Sequence, residues 1–549
     1  MYLSNLFEIS PMYRITVLIS TSMKRNDLLF NRSLPSVLQQ SIAPDCILIV
    51  DDNDDVQTSS ELVTKLNSYH NPKIHYLKNH RTHGFSGTGA WNSGIEWYSR
   101  KFKECDYIAF LDDDDSWESA YLEMQRNSID EFIKKNGYLP EACCAYLKRN
   151  DCPSPHVFKQ SDIIVENFLC GNIGIQGSNM FFRLDTLKRI NGFDENLPSC
   201  TDRDLLIQLL QLSPKIQFAI TPMVLVNHFA WDGSITYDKG KKHLGITRFF
   251  EKYIQLYTPE LLKMAIHRAE KLFNYNDSNN IYKLFDLVHN RADEKKIVIG
   301  IALHNGRNTI RRCLQSILNQ KNLSSHLWVL IADDDSNDGW EEEVSDLLAL
   351  KNVITIRVSN NATYKTRNDI HAYVKKYFGN VELVGRLDCD DMYSDNLVLS
   401  RIEHVQKQNG ADVVLAGNYL RLNDKVISRV NRATKDLLDH NYLINRLKNM
   451  SKGIAEAELP SCNVFMSKKS LRDYPAKNSA EDHFLLVDLL LGKNDYKIVI
   501  AEDVLLTIYN LNGKITADNK KRTIYLETRK ELYQRGLELC KKKKESSVH

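Results

Sequence analysis

The sequence lacks the features that mark several large classes of protein. Its 549 residues carry a net charge of only +2, so nothing global points to nucleic acid as a partner. The first fourteen residues have neither a basic segment nor a long apolar core, which argues against a signal peptide. No apolar run approaches the length of a membrane span. We therefore expect a cytoplasmic protein, at most peripheral at the inner face of a membrane.

Cysteine is present without the spacing that would make it a ligand or a disulfide framework. The 11 cysteines are odd in number and form neither a Cys-x-x-Cys pair nor a His/Cys cluster at zinc spacing. Cys143 and Cys144 are adjacent, which disfavours a bridge between them. These patterns predict mostly buried, free thiols in a reducing compartment.

An apolar run that ends in four carboxylates is the most informative stretch of the chain. Residues 107–111 predict a buried strand of a parallel sheet. Residues 112–115 are all Asp and cannot lie inside that strand, so they are expected in the crevice at its carboxyl end, where open α/β sheets bind ligands. Asp112 and Asp114, two residues apart, suit Mg²⁺ or Mn²⁺ shared with phosphate oxygens. An exposed acidic turn or a structural calcium loop is the alternative.

Strand and helix patterns alternate before this stretch. Residues 15–20, 46–50 and 73–77 predict strands, residues 27–40 have helical spacing, and a glycine-rich turn at 83–95 opens a helix. Gly84, Gly87 and Gly89 are interpreted as turn and close-packing glycines, because the dinucleotide fingerprint Gly-x-Gly-x-x-Gly is absent. This order predicts a parallel sheet covered on both faces.

The same landmarks recur in the second half of the chain. Residues 297–302 match 15–20, and the acids that follow match in order. The matched acids lie 282, 276 and 280 residues apart: Asp51 and Asp333, Asp112 and Asp388, Asp202 and Asp482. Order and spacing kept over such distances indicate a duplicated α/β domain, and at 549 residues more than one domain is expected.

The repeat predicts the domain boundaries. We expect a leader at 1–13, a first domain at 14–239, a helical spacer at 240–294 and a second domain at 295–516. A basic helix and tail follow at 517–549. One side of that helix is apolar and precedes four lysines at 541–544, so it either attaches weakly to an anionic membrane or packs on its own domain. Its apolar side would comprise Tyr525, Leu532, Tyr533 and Leu537.

Both halves resemble glycosyltransferase family 2, the inverting enzymes with the GT-A fold. The likeness covers residues 14 to about 237 and 295 to about 516, and residues 177–197 are typical of the acceptor side of that family, with a counterpart at 459–474. It implies two tandem GT-A domains, Rossmann-like and mostly parallel, joined by a helical spacer.

The resemblance implies which residues bind the nucleotide-sugar donor. The opening strand and the acids after the second and fourth strands would hold the nucleotide. In the first copy these are Ser20, Asp51, Asp52 and Asp112, and in the second Asp333, Asp334, Arg367 and Asp388. The family's Arg-Asn helix start matches Arg367 and Asn368, whereas the first copy has Trp91 and Asn92, with Arg81 as a hypothetical substitute.

The resemblance also implies a divalent cation, Mn²⁺ or Mg²⁺. Its ligands would be Asp114 and Asp390, and the first acid of each Asp-x-Asp motif would touch ribose or metal. His228, ahead of a Gly-Ser-x-Thr stretch, would reach the metal or diphosphate in the first copy. In the second copy this position is matched to Asn512.

The catalytic base of the family lies in an acidic pair at the start of a late helix. Glu481 and Asp482 form that pair in the second copy, while Thr201 and Asp202 occupy it in the first. Asp202 and Asp482 are the candidate bases, and a helix N-cap is the alternative role for each. A single base facing the leaving group from the opposite side gives inversion, unlike the two carboxylates of a retaining glycosidase.

These inferences lead to an expected function with two alternatives. We expect a bifunctional glycosyltransferase of the hexosyltransferase type that transfers sugars from nucleotide-sugars, UDP-sugars in the first instance, to a glycan acceptor, as in bacterial capsule or surface-polysaccharide synthesis. One alternative is transfer to a peptide or protein side chain. The other is one catalytic copy with one non-catalytic binding copy, which the acids in both copies argue against. The sequence leaves open the sugars, the linkage, the acceptor and the oligomeric state.

Four further side chains carry weaker signals. His75, His80 and His83 form a local cluster with no obvious acidic partner at metal spacing, and we interpret them as surface residues or residues at the lip of the nucleotide site. Trp117, just after the four acids, is expected either to stack on the sugar or to pack the crevice.

Overall fold

A computed structural model describes residues 13–83, 87–212, 216–230, 238–423, 426–477, 479–492, 495–510 and 523–546. It divides into two units, residues 1–278 and 279–549. Each unit is built around one mixed sheet with helices packed on it.

The first unit contains an eight-stranded sheet in the order β3-β2-β1-β4-β7-β6-β8-β5. Its strands are β1 (Ile15–Thr21), β2 (Cys46–Asp51), β3 (Ile74–Lys78), β4 (Tyr107–Asp112), β5 (Ser116–Trp117), β6 (Ala142–Arg149), β7 (Phe181–Arg183) and β8 (Phe218–His228). Its helices are α1 (Asn26–Leu28), α2 (Leu34–Leu38), α3 (Val56–Asn67), α4 (Thr88–Lys101), α5 (Tyr121–Asn136), α6 (Val165–Cys170), α7 (Leu184–Arg189), α8 (Thr201–Leu212), α9 (Lys239–Tyr253) and α10 (Pro259–Phe273).

The second unit repeats the same order along its main path, β11-β10-β9-β12-β16-β14-β17-β13, with β15 paired to β14. Its strands are β9 (Lys296–Leu303), β10 (His326–Asp334), β11 (Val353–Val358), β12 (Val381–Arg386), β13 (Met392–Tyr393), β14 (Val413–Asn423), β15 (Val426–Asn431), β16 (Val464–Met466) and β17 (Ile498–Asn510). Its helices are α11 (Ser278–His289, from the boundary), α12 (Ile310–Leu318), α13 (Trp340–Glu343), α14 (Ser345–Leu348), α15 (Thr363–Tyr377), α16 (Val398–Asn409), α17 (His440–Ser451), α18 (Glu481–Leu491) and α19 (Ile524–Ser546).

The apolar runs of the sequence form the central strands. The strands predicted at 15–20, 46–50 and 107–111 are β1, β2 and β4, and nearly all of their residues are buried. They pair in parallel, with Ser20 opposite both Val50 and Asp112. The three carboxyl ends therefore meet at one edge of the sheet. The equivalent strands β9, β10 and β12 are also parallel, so the predicted α/β class and the duplication are confirmed.

Short antiparallel strands close the crevice beyond β4. β7 runs antiparallel to β4, and β5 runs antiparallel to β8. The pairing of Ser116 with Asn227 brings the end of β8, and with it His228, alongside the four acids. In the second unit Met392 pairs with Ile508, so the ladder places Tyr509 where the first unit has His228. Asn512, matched to that position from the sequence, lies outside the described residues, as does the Gly-Ser-x-Thr stretch after His228.

The region predicted as a spacer is helical and contributes to both units. α9 and α10 belong to the first unit and most of α11 to the second. The predicted start of α10 is confirmed, because the Thr258 hydroxyl accepts a hydrogen bond from the amide of Leu261 (3.2 Å) ahead of Pro259. On α9, Lys252 pairs with Asp204 (2.6 Å), which fixes this helix to α8 of its own unit.

The C-terminal helix α19 packs on the second unit. Leu532 is fully buried, and a side chain at Gly536 would collide with Leu447 of α17. The apolar side that the sequence offers to a membrane is thus partly covered by the helix's own unit. Among the described helices, none is both long and apolar enough to cross a bilayer.

Candidate active sites: an acidic crevice in each half

The end of β2 places two buried acids at the crevice of the first half. Asp51 Oδ2 accepts hydrogen bonds from the hydroxyl of Tyr76 (2.9 Å) and from Lys78 (3.2 Å). Burial alone would raise the pKa of Asp51, but its hydrogen-bond donors outweigh that effect and lower it. Asp52 lies 2.6 Å from Nδ1 of His83, a contact that the sequence did not reveal.

Three of the four consecutive acids converge in the first half. One carboxylate oxygen each from Asp112, Asp114 and Asp115 lies within 4.8 Å of the others. Burial and the charges of Asp115 and Asp114 raise the pKa of Asp112 well above its usual value. Such repulsion is relieved by a cation, so this donor set fits a hard divalent ion.

The remaining acid, Asp113, points elsewhere. It is fully buried, accepts a hydrogen bond from the Thr21 hydroxyl (2.8 Å) and forms an ion pair with Arg25 (2.9 Å). Burial raises the pKa of Asp113 to about 7 despite that arginine. Asp115 thus joins the predicted Asp112 and Asp114, and no pattern in four identical residues could have singled it out.

His228 lies against the acids, near the position implied for it. Its Nδ1 is 2.8 Å from Asp115 Oδ2, and the next amide, of Phe229, donates to Asp115 Oδ1 (2.9 Å). Burial would lower the pKa of His228, but Asp115 raises it overall. The contact is with the fourth acid rather than with Asp114.

Asp202 lies at the start of α8, on the side of the crevice formed by residues 177–202. It is the second residue of the helix, so the helix has already begun at Thr201. Burial raises the pKa of Asp202 to about 6, while the amide of Gly177 and the charges of Lys242 and His228 oppose the rise. A carboxyl group with such a pKa can take a proton near neutral pH.

An aromatic cluster fills the floor of the first crevice. Trp91, at the start of α4, packs on Phe110 of β4 (5.3 Å between ring centroids) and on Phe193 (4.8 Å). Asn92 fixes this arrangement, because its amide side chain exchanges two hydrogen bonds with the backbone of Phe193. Arg81 does not contact Asp112; it pairs with Glu195 (2.6 Å) at the rim.

In the second half the end of β10 repeats the acid pair. Asp333 pairs with Arg357 (2.6 Å), and Asp334 accepts hydrogen bonds from the Thr366 hydroxyl (2.9 Å) and the Asn360 amide (2.6 Å). Both acids are buried, as their counterparts are.

Two arginines replace the aromatic pair of the first half. Arg367 stands before Asn368 as Trp91 stands before Asn92, and Arg386 lies two residues before Asp388 as Phe110 lies two residues before Asp112. Asn368 again bonds the backbone of a buried aromatic residue, Tyr474. The floor of the second crevice is therefore cationic rather than apolar.

The arginines connect the acids of the second crevice. Arg367 bridges Asp388 (2.8 Å) and Glu481 (2.5 Å), and Arg386 bridges Asp388 (3.5 Å) and Asp482 (2.7 Å). Burial would raise the pKa of Asp388, but the two guanidinium groups lower it. Asp390 lies near the amide side chain of Asn510 (3.4 Å), whose backbone amide donates to Asp391 (2.8 Å).

Asp482, the second residue of α18, is surrounded by donors. Its Oδ2 accepts hydrogen bonds from Arg386 (2.7 Å) and the Ser461 hydroxyl (2.9 Å), and its Oδ1 lies 2.9 Å from Nδ1 of His483. Burial would raise the pKa of Asp482, but His483 and Arg386 lower it well below its usual range. The two candidate bases thus have pKa values shifted in opposite directions.

Both base-bearing helices follow a residue in the left-handed region. Cys200 has φ +66° and Ala480 has φ +60°, and each lies two residues before the candidate base. Non-glycine residues adopt this conformation at a cost, which structures tolerate mostly at functional sites. The shared conformation orients the first turns of α8 and α18, which carry Asp202 and Asp482, toward the crevice.

The remaining predicted residues have mostly structural roles. Trp117 is buried, stacks on Tyr121 (4.2 Å between ring centroids) and donates its indole N–H to the carbonyl of Ser178 (2.7 Å), so it packs the crevice. A side chain at Gly89 would lie 2.0 Å from the Thr82 carbonyl oxygen, which confirms a close-packing glycine. Gly87 has φ +67°, and Gly84 lies outside the described residues. Ser20, the penultimate residue of β1, is paired with Asp112, and all 11 cysteines are free.

Two sheets of this topology, each with acids at the carboxyl ends of its parallel strands, define a tandem protein of the Rossmann-like GT-A class. The sequence model of glycosyl transferase family 2 matches residues 22–133 and 298–474, which together make up more than half of the chain. The chain belongs to glycosyl transferase family 2.

Two named relatives and two solved structures resemble the chain at 23% identity or less. An uncharacterized glycosyltransferase of Rickettsia bellii is 23% identical over 69% of this chain and 53% of its own length, so the chain spans about half of that relative. The poly(ribitol-phosphate) beta-N-acetylglucosaminyltransferase TarP of Staphylococcus aureus is 20% identical over 44% of this chain and 71% of its own. A structure of S. aureus TarS 1-349 with UDP-GlcNAc is 18% identical to this chain and has a TM-score of 0.30. The match covers 39% of this chain and 58% of the TarS chain. The mannosyltransferase PcManGT from Pyrobaculum calidifontis, in complex with GDP-Man and Mn²⁺, is 15% identical over 48% and 71%, with a TM-score of 0.33.

Proposed function

We propose that the chain is a bifunctional inverting glycosyltransferase that moves sugars from nucleotide-sugars, UDP-sugars first among them, to a glycan acceptor. One observation carries the proposal. In each half, an Asp pair, an Asp-x-Asp motif and an Asp in the first turn of a helix meet at the carboxyl edge of the parallel strands. Open α/β sheets bind ligands at that edge.

The donor side of each half consists of the acids at the ends of the second and fourth strands, on either side of the end of the first strand. Asp51 and Asp52, or Asp333 and Asp334, would accept hydrogen bonds from the nucleoside. Asp114 with Asp112, Asp115 and His228 would hold Mn²⁺ or Mg²⁺ in the first half. Asp390 would do so in the second. When bound, the cation neutralises the charge that develops on the departing nucleoside diphosphate.

The acceptor side supplies the base. Asp202 or Asp482 would accept the proton of the acceptor hydroxyl as its oxygen attacks the anomeric carbon from the face opposite the leaving group. The bond to the nucleoside diphosphate breaks as the new glycosidic bond forms, so configuration inverts. An α-linked donor then gives a β-linked product.

The arginine pair favours a donor or acceptor in the second half that differs from that of the first. Arg367 and Arg386 offer fixed guanidinium groups beside Asp388, where the first half offers the rings of Trp91 and Phe110. Groups of such different charge make different contacts to a transition state, and specificity follows those differences.

The first experiment is a screen of nucleotide-sugars with mass spectrometry of the products. An N-acetylglucosamine donor belongs in the first set, because the relative TarP is an N-acetylglucosaminyltransferase by name. Glycan and peptide acceptors are offered in parallel, so that transfer to a peptide would be seen. Nucleoside diphosphate binding is then titrated with and without EDTA on Asp114→Ala and Asp390→Ala. Undiminished, metal-independent binding by both variants would contradict the proposed donor sites.

A further inference from the structure

The candidate base of the second half begins a chain of contacts that leads out of the crevice. His483 follows Asp482 on α18 and is 8% exposed. Its Nδ1 lies 2.9 Å from Asp482 Oδ1 and 2.9 Å from the Ser461 hydroxyl. Its backbone amide donates to the same Asp482 oxygen (2.9 Å). Both the imidazole and the backbone of His483 therefore hold one oxygen of the base.

The other ring nitrogen of His483 faces a second carboxylate. Nε2 lies 2.7 Å from Oε2 of Glu458. Burial would raise the pKa of Glu458, but His483 and Arg529 lower it far below its usual range. Burial would lower the pKa of His483, but Asp482 and Glu458 together raise it to about 9. The ring is an imidazolium at neutral pH, with a carboxylate at each nitrogen.

Glu458 is held in turn by the C-terminal helix. Arg529 of α19 donates from Nε to Oε1 of Glu458 (3.1 Å), and the hydroxyl of Tyr525 donates to the same oxygen (2.5 Å). Arg529 is only 6% exposed, and its guanidinium stacks on the ring of Tyr525 (3.7 Å). A buried, stacked arginine fixes a carboxylate more strongly than a surface pair does.

The first half uses the residue after its base differently. Arg203 follows Asp202, and its guanidinium donates to the backbone carbonyls of Phe168 (2.6 Å) and Leu169 (2.5 Å). Arg203 therefore holds α6 in place. It does not link the base to a second carboxylate, as His483 does.

We propose that the C-terminal helix α19 completes the second active site. Through Arg529 and Tyr525 it holds Glu458 against His483, and His483 fixes the orientation of Asp482 toward the acceptor. His483, Glu458 and Arg529 are positioning residues in this proposal, which rests on the proposed role of Asp482 as base. The helix beyond the second domain is thus part of the catalytic apparatus of that half alone.

The physical effect expected is on the chemical step rather than on donor binding. Asp482 is restrained on Oδ1 by His483 and on Oδ2 by Arg386 and Ser461, so loss of the His483 contact frees one side of the carboxylate. Misplacement of a catalytic group by about 1 Å can cost about 100-fold in rate. The nucleotide-binding acids Asp333 and Asp334 lie on β10 and do not touch this chain of contacts.

The test compares variants along the chain of contacts in full-length protein carrying Asp114→Ala, which silences the first half. Glu458→Gln and Arg529→Met are expected to lower kcat of second-half transfer by about 10- to 100-fold with little change in donor KM. Arg529→Lys, which retains a cation at the same place, is expected to recover part of the rate. First-half transfer, measured without Asp114→Ala, is expected to be unchanged by the same substitutions.

Arg535→Met provides a matched control on the same helix. Arg535 forms an ion pair with Asp488 (2.9 Å) and not with Glu458. Its substitution therefore removes an ion pair of α19 that does not contact the base. This variant is expected to transfer at the wild-type rate. Equal losses in Arg535→Met and Arg529→Met would overturn the proposal, because the effect would then reflect only the packing of α19. A loss of nucleoside diphosphate binding in Glu458→Gln would also count against it.

A pH profile separates positioning by the imidazolium from a merely structural role. The charged groups that face His483 are Asp482 on its own helix and Glu458 across from it, the latter carrying Arg529 and Tyr525 of α19. In wild type, second-half kcat is expected to fall as pH rises through about 9, where His483 loses its charge. His483→Gln is expected to be slower and to lack that fall.

Two failures are distinguishable in this design. If Asp482→Asn transfers sugar as fast as wild type, the proposed base is wrong. If Asp482→Asn is inactive but Glu458→Gln, Arg529→Met and His483→Gln all keep the wild-type rate and pH profile, the base stands and the role of α19 is refuted.

Discussion

At the scale of single residues, the two copies place their candidate bases, Asp202 and Asp482, in different electrostatic surroundings. Burial raises the pKa of Asp202, and the amide of Gly177 and the charges of Lys242 and His228 oppose this rise only in part. Asp482 lies beside Arg386 and His483, which lower its pKa. The carboxyl groups at this one position of the two related folds thus have different proton affinities, because their neighbours differ.

Replacement of each candidate base by asparagine tests its role. Asp202→Asn and Asp482→Asn are nearly isosteric, so nucleotide binding is expected to persist. Transfer by the affected half is expected to fall by about 100-fold or more, since asparagine cannot accept the proton. Single-donor assays with calorimetric titration of nucleoside diphosphate check both effects. Transfer near the wild-type rate in both variants would rule out the assignment.

The opposite pKa shifts predict different acid limits for the two halves. A base acts only when ionised, so first-half transfer is expected to decline as pH falls through about 6. Second-half transfer is expected to continue to lower pH, because the pKa of Asp482 is lowered. Rates from pH 5 to pH 8, measured separately in Asp390→Ala and Asp114→Ala, give the two limits. Coincident limits would contradict the assignment of Asp202 and Asp482 as bases with opposite pKa shifts.

At the scale of elements, the short turn before β7 sets how closely the backbone approaches the first acid. A Cβ added at Gly177 would lie 2.5 Å from Asp112 Oδ2 and 3.1 Å from the Trp91 ring. In the second half Ser461 occupies the position of Gly177. Each of the two residues lies two positions before an asparagine whose side chain donates a hydrogen bond to the sheet backbone. Only the second crevice has room for that side chain.

Gly177→Ala is therefore expected to displace Asp112 and weaken donor binding by the first half by about tenfold, while second-half binding is unchanged. A carboxylate that must move by a few tenths of an ångström or more loses the geometry of a metal or ribose contact. Gly240→Ala is the control, because an added Cβ there would meet only one carboxylate oxygen, at 3.6 Å. Equal affinities in the two variants would show that the close approach has no functional role.

The apolar side of the C-terminal helix is partly covered by its own unit, because Leu532 is buried whereas Leu537 is 38% exposed. Attachment to an anionic membrane face remains a proposal that now depends on the lysines at 541–544. Each lysine near such a surface is worth about 1 kcal/mol, and salt screens most of it. Truncation after Leu539 is expected to reduce co-sedimentation with anionic liposomes at low salt but not at high salt. Identical sedimentation of both proteins at low salt would contradict attachment.

At the scale of the whole molecule, we propose that the two unequal candidate sites make two different additions. The first crevice has an aromatic floor and a group of three converging carboxylates, and the second has an arginine pair bridging its acids. If both sites are active, covalent linkage would raise the effective concentration of one site's product at the other.

Separate knockouts test this division of labour. Asp390→Ala is expected to leave only the first addition and Asp114→Ala only the second, each with its own donor and acceptor end. Donors are supplied one at a time and products are scored by mass spectrometry. Identical donor and acceptor preferences in the two knockouts would leave a plain duplication of one activity.

The sequence by itself determined the strands, the repeat and the positions of the acids. Residues 15–20 and 107–111 are short, mainly apolar runs that predict buried strands, and the acids from Asp112 onward mark where the second of these strands must end. Such signals are local, so they can be read without knowing what packs against them. The matched spacing of Asp51, Asp202 and their counterparts then predicted two copies of one fold.

The tertiary structure decided which of these residues meet. Beyond the strand end no periodicity orients a side chain, so only the fold shows that Asp115 joins Asp114 while Asp113 turns to Thr21 and Arg25. Contacts between distant segments are set by packing, and no local pattern encodes them. For that reason the bridging of Asp388 and Asp482 by Arg386, and the path from Arg529 through Glu458 to His483, were invisible in the sequence.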